Sequence, residues 1–161
     1  MRPAFRLIAL VLALSPLAAT AQQVAFGGIR ADTSQPVEVT ADSLAVNQET
    51  GVATFSGNVL IGQGSMRLQA ATVLVEYGQG DQSKINRLLA SGGVTLVSEA
   101  EAAEAREAVY DVVKGTVVLT GDVLLTQGSN VMAGQKLSVD LRSGTGQMDG
   151  RVRTILQPGG N

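Results

Sequence analysis

The side chains that most often do chemistry are missing from this chain or poorly grouped for it. It has no His and no Cys, so no Ser-His or Cys-His nucleophile pair can be assembled, and an ordinary zinc site lacks its imidazole and thiolate ligands. Four carboxylates, Glu99, Glu101, Glu104 and Glu107, stand close together, but alternation along a strand would scatter them, and they read as a solvated face. Gly62-Gln63-Gly64 and Gly78-Gln79-Gly80 lack the next glycine and the helix of a phosphate-binding loop, and they read as turns. The expectation is a protein that is not an enzyme and needs no metal and no cofactor. Aliphatic carbon is plentiful instead. Of 161 residues, 45% are hydrophobic but only 3% aromatic and 16% charged, which suits one globular domain rich in small apolar side chains.

The first residues fit a targeting signal. Arg2 and Arg6 flank the start of an unbroken apolar run, Leu7 to Leu14, and Ala19-Thr20-Ala21 supplies the small residues of a cleavage site. That run is too short to span a bilayer. Residues 1–21 are therefore expected to be a signal peptide cleaved after Ala21. From Gln22 onward there are 10 basic and 14 acidic residues, a balance unsuited to holding nucleic acid by counterion release. Export without cysteine means that burial and hydrogen bonding must replace disulfides.

A repeat organises the remainder. Gly-x-Val occurs at Gly57, Gly92, Gly121 and Gly150. A second anchor is a small residue with apolar residues three and five positions later, beginning at Ala41, Ala70, Ala105 and Gly134. Anchor to glycine is 16 residues in three copies and 22 in the second, and each glycine lies 13 residues before the next anchor. The period is 29, with six residues inserted around Gly78 to Ser83, which read as a loop.

Within each repeat the apolar period is two. Ala53, Phe55, Val59 and Ile61 share a face opposite Thr54, Ser56 and Asn58; Leu88, Ala90, Val94 and Leu96, then Val117, Leu119, Val123 and Leu125, repeat the pattern. These are half-buried strands. The recurring glycines fall on the apolar face, where they would let a strand bend. Apolar parity slips by one after Ala41, Ala70 and Gly134, which predicts a bulge or corner that turns the chain from one sheet to another with its oily side inward. Glu101 to Ala108 has strong helix formers, yet the repeat frame places Ala105, Ala108, Tyr110 and Val112 inward and predicts a strand. Arg30 and Asp32 break the pattern upstream. The expected organisation is a mobile N-terminal arm over 22–35, an all-β, repetitive antiparallel stack over 36–157, and a tail, 158–161. Met66, Met132 and Met148 take inward positions. Periodicity alone leaves two possibilities for the interior, a close-packed core or a groove for an aliphatic ligand.

Gln35-Pro36-Val37-Glu38-Val39 followed by Ala41-Asp42, Gly51 to Val59, and Val117 to Val123 resemble the periplasmic lipopolysaccharide-transport proteins, the LptA or OstA-like family, over about Gln35 to Leu156. The resemblance implies a β-jelly roll, open at both ends, in the periplasm. It further implies that the interior shields the acyl chains of lipopolysaccharide, and that protomers join head to tail by strand addition. Such a chain would link an inner-membrane-anchored protein to an outer-membrane protein, each with a related domain. The apparently cleavable signal and the chain length point to the free periplasmic member. Carried onto matching inward slots, the lipid-facing role falls on Val37, Val39, Phe55, Val59, Ile61, Leu68, Val75, Leu96, Tyr110, Val112, Leu119, Val123 and Leu125. The partner edges fall on Val37, Val39 and Ala41 at one end and Val152, Thr154 and Leu156 at the other. A structural envelope stack that assembles by its edges and holds no lipid is the other expectation.

Overall fold

The computed structural model describes residues 29–99 and 101–157. The expected signal peptide and its cleavage site, residues 22–28 of the arm, and the tail lie outside them. Ten strands follow one another: β1 (Glu38–Thr40), β2 (Ser43–Asn47), β3 (Val52–Gln63), β4 (Met66–Gly78), β5 (Asp81–Ser98), β6 (Glu101–Asp111), β7 (Thr116–Gln127), β8 (Asn130–Asp140), β9 (Thr145–Asp149) and β10 (Arg153–Ile155). They form one antiparallel sheet in which β3 to β8 are hydrogen-bonded in chain order. β1 and β2 share β3 at one rim, and β9 and β10 share β8 at the other. Glu101 to Ala108 is strand, as the repeat frame predicts. β6 pairs with both β5 and β7, and a helix there would leave two ladders unpaired, a cost that outweighs local propensity.

A fold line crosses the sheet at every long strand. The registers shift between Ser56 and Val59, Ser91 and Val94, and Thr120 and Val123, so that two residues oppose one. The pairs at the shift are Gly57-Asn58, Gly92-Gly93 and Gly121-Asp122, with Gly150-Arg151 between β9 and β10, and all eight residues have positive φ. The glycine comes first for a steric reason: a Cβ at Gly92 would stand 2.6 Å from the Ala71 Cβ, and one at Gly150 would stand 2.6 Å from the Gln135 Cβ. Ala71 and Gln135 are exposed. The glycines thus face the outer surface of the bend, which corrects their expected placement on the apolar face. The parity slip is the partner of this bend, since Ala71-Thr72 and Gln135-Lys136 both point outward where the neighbouring strand bulges.

The fold line divides the sheet into two facing halves, one containing β1 and one containing β2. The Tyr110 hydroxyl on the β2 half hydrogen-bonds the Gln63 Oε1 on the β1 half, and buried aliphatic side chains from both halves form a single cluster. Burying each Leu or Ile contributes roughly 1.5–3 kcal/mol, the dominant favourable term in a chain without disulfides.

Turns at the free ends of the halves follow the repeat as well. On the β2 half, Asn47, Asp111 and Asp140 occupy one slot of the 29-residue frame. Their side chains accept backbone N–H bonds from Thr50 (3.1 Å), Lys114 (2.9 Å) and Ser143 (3.0 Å), closing each turn from its first residue. On the β1 half, β3–β4 and β7–β8 are joined by the two-residue turns Gly64-Ser65 and Gly128-Ser129. The six inserted residues are not a loop. β4 runs to Gly78 and β5 starts at Asp81, so the insertion lengthens this hairpin and only Gln79-Gly80 turns.

The expected mobility of the arm fails over its last seven residues. Ile29 and Ala31 are buried in the core at 0% and 8% exposure. The segment 29–35, here the strap, crosses the mouth where the free ends of the two halves approach. Ala31 N–H donates to the Leu141 carbonyl (3.1 Å), and Leu141 N–H donates to Gly115 (2.9 Å), tying the strap to two turns of the β2 half.

Candidate functional site

The interior is built from rungs of side chains that run across the strands from rim to rim. On the β1 half one rung is Val39, Ile61, Leu68, Leu96, Ala103, Leu125, Met132 and Thr154, each opposite the next in register. On the β2 half another is Leu44, Phe55, Val73, Ala90, Ala108, Leu119, Leu137 and Met148. Alternation places these residues on one face, and the fold line brings the two faces together.

All thirteen residues expected to face lipid point into this one interior. Val59, Ile61, Leu68, Val75, Leu96, Tyr110, Leu119, Val123 and Leu125 are buried, whereas Val37, Val39, Phe55 and Val112 are half-buried and pack on the same cluster. Side chains fill the space between the halves: exposure at Ile61, Leu96, Leu119 and Leu125 is 0%. Met66 and Met132 are also buried and Met148 partly so; flexible thioethers of this kind adapt to irregular gaps. Among the described residues no group of three or more acidic side chains is placed to hold a metal ion.

The expected edge residues lie at opposite rims, Val37, Val39 and Ala41 around β1 and Val152, Thr154 and Leu156 around β10. Only Val39 and Thr154 are within the three-residue strands; the others flank them. Each rim has a second half that sequence reasoning missed. β2 leaves Leu44 and Val46 exposed at 55% and 62%, although they continue inward-facing rungs, and β9 is the matching half at the far rim. Val152, Ile155 and Leu156 are exposed there. The roll is therefore open at both ends along the sheet.

Polar groups enter the interior only near the mouth. Among the described residues the buried polar or charged side chains are Gln63, Ser98 and Glu101. Gln63 Nε2 donates to the Gln35 carbonyl (2.8 Å) and the Thr33 carbonyl (3.3 Å), and Ser98 Oγ donates to the Arg30 carbonyl (2.8 Å). The Glu101 Oε2 accepts Ile29 N–H (3.1 Å), while its Oε1 accepts from Gln127 Nε2. Glu101 therefore departs from the expected solvated acidic face, which keeps Glu99, Glu104 and Glu107 on the exposed side. Burial pushes the Tyr110 hydroxyl above its ordinary pKa, opposed by its bond to Gln63. A simple signal would have found these residues. Extending period-two parity one step beyond Ile61, Leu96 and Leu125 lands on Gln63, Ser98 and Gln127, and one step back from Ala103 lands on Glu101.

Residues 38–145 match the family described as "LptA/(LptD N-terminal domain) LPS transport protein". The chain belongs to this family. An uncharacterized protein of Rhizobium meliloti is 33% identical over 81% of the chain and 76% of its own length. The lipopolysaccharide export system protein LptA of Escherichia coli is 30% identical over 92% of the chain and 84% of its own length. The crystal structure of LptH, described as the LptA-homologous periplasmic component of the lipopolysaccharide transport device of Pseudomonas aeruginosa, superposes with a TM-score of 0.70. It covers 80% of this chain and 99% of that one at 23% identity. The shared fold is the β-jelly roll, and as a member of a family of transport proteins the chain is not an enzyme.

Proposed function

We propose that this chain serves lipopolysaccharide transport in the periplasm, after cleavage behind Ala21, by holding acyl chains between its two half-sheets and passing them along a bridge of related domains. The observation that carries this reading is the set of largely aliphatic rungs that run from β1 and β2 to β9 and β10, with exposed apolar side chains at both rims, Leu44 and Val46 at one and Val152 and Leu156 at the other. Hydrocarbon in water costs about 0.8 kcal/mol per CH₂, so a multiply acylated lipid needs such a lining to cross an aqueous space. Unpaired strands at each rim are suited to adding a strand of a second copy, of an inner-membrane-anchored partner or of an outer-membrane partner. Contacts of that kind are heterologous and extend as a line instead of closing.

A structural stack without cargo is favoured by one observation, the full burial of the inner side chains at the middle of the sheet, Ile61, Leu96, Leu119 and Leu125 among them. Photo-crosslinking separates the two readings. A photoreactive side chain at Ile61, Leu96 or Tyr110 should give lipopolysaccharide adducts, and one at outward Ser56 or Thr120 should give none. Failure to label at every inward site would remove the carrier reading and leave the stack.

A further inference from the structure

The buried polar side chains have one common partner. Gln63, Ser98 and Glu101 each bond the backbone of the strap, and Ser65 Oγ adds a longer contact to Arg30 O (3.4 Å). In an otherwise aliphatic interior, such groups are costly unless satisfied. Here that satisfaction comes from seven residues lying outside the sheet, joined to the rest by scattered bonds with no strand ladder. The strap bridges both lips of the mouth: its Arg30 side chain reaches the Ser143 carbonyl of the β2 half (2.8 Å), while its carbonyls are held by the β1 half. It also sends Ile29 into the interior, fully buried.

We propose that the strap is a displaceable seal over a side entrance to the trough, and that Ile29 occupies space an acyl chain takes when lipid is bound. This inference rests on the carrier reading and adds its control: the empty protein is closed by its own chain, and cargo enters between the lips in place of residues 29–35. Segments held by few, separate bonds open at lower free energy than strands paired on both sides. Gln63, Ser98 and Glu101 then change partner, from strap backbone to water or to polar groups at the base of the acyl chains.

The chain has no cysteine, so a single disulfide can be added without competing thiols. A Cβ on Gly64 would lie 3.7 Å from the Asp32 Cβ, within the range that a disulfide spans; the left-handed φ of Gly64, +54°, strains the oxidised and reduced forms alike, so the comparison is made between those two forms. Purified chain from Gln22 onward carrying Asp32→Cys and Gly64→Cys is mixed with tritium-labelled purified lipopolysaccharide, and bound lipid is counted after gel filtration. The oxidised form should bind about tenfold less than the same protein after reduction, which should approach wild type. Equal binding by the oxidised and reduced forms would overturn the seal while leaving the carrier reading intact. Should the pair of substitutions abolish binding in both forms, Ile29→Ala decides. Faster uptake than wild type, by about threefold, supports the seal, and unchanged or slower uptake overturns it. Wild type that takes up no lipid would defeat the carrier reading, and the seal with it.

Discussion

The two long borders of the interior are closed in opposite ways. At the fold line the chain itself makes the closure, once in every repeat, through a glycine-led pair in the left-handed region. At the mouth a single segment lies across two sets of turns, held by hydrogen bonds to Gln63, Ser98, Glu101 and Leu141. One border cannot part without breaking the sheet, whereas the other can part while every ladder stays paired. The same oily lining therefore has a fixed spine and a releasable seam.

The largest effect should come from attacking the spine. Gly92→Val places a branched side chain at φ +84° and against the Ala71 Cβ, and should cost about 3 kcal/mol or more in urea unfolding. Gly93→Asn should cost about 1 kcal/mol or less. A side chain at Gly93 meets nothing within 4 Å, and Asn58 fills the corresponding position of the first copy. Equal losses for the two substitutions would mean that the bend is not governed by its first residue.

Loosening the seam should cost less and act locally. Gln63→Leu removes the donors to Thr33 and Gln35 and leaves the Tyr110 hydroxyl without its partner, for about 2 kcal/mol. Hydrogen exchange should speed up at the Ala31 amide far more than at the Leu96 amide. Uniform acceleration would show that strap and sheet open as one unit.

Acid should produce the smallest change, again at the seam. Asp32 is held below the usual carboxylate range chiefly by the Ser34 hydroxyl, Asp111 by the Lys114 N–H, and Asp140 by the Ser143 and Arg142 N–H groups. For depressed carboxyl groups the stabilisation is complete above the unfolded value, about 3.9, and is lost as pH falls through the lower folded values. The urea midpoint should be level from about pH 8 to 5 and decline below about 4. Asp140→Asn should lower the plateau slightly and flatten that decline; an unchanged acid limb would remove the Asp140 turn as a contributor.

The contrast between spine and seam also sets what could be read from the sequence. Strands, corners and rungs recur, so Gly57, Gly92, Gly121 and Gly150 announce one another and override the helix propensity of Glu101 to Ala108. The strap occurs once. Its Arg30 and Asp32 look like a break in the pattern because their partners, Ser143 and Ser34, cannot be inferred from spacing. Glu101 was legible only by continuing parity past the last apolar residue, where charge ordinarily argues for solvent. The six-residue insertion looked like a loop because its Gly-Gln-Gly composition outweighs pairing, yet both neighbours had strands to extend.

Each rim of the sheet is broken at the same place. Asp42 lies between β1 and β2, and Gly150-Arg151 lies between β9 and β10, so under the proposed strand addition an arriving strand would meet two short stretches, one on each side of the fold line. A straight ribbon can engage one stretch or the other, while a chain bent like this one engages both. A shift of one residue turns its greasy side to water on both stretches together. In the proposed bridge the crease would then work as a key cut at two depths, admitting partners by their shape before any particular side chain is consulted.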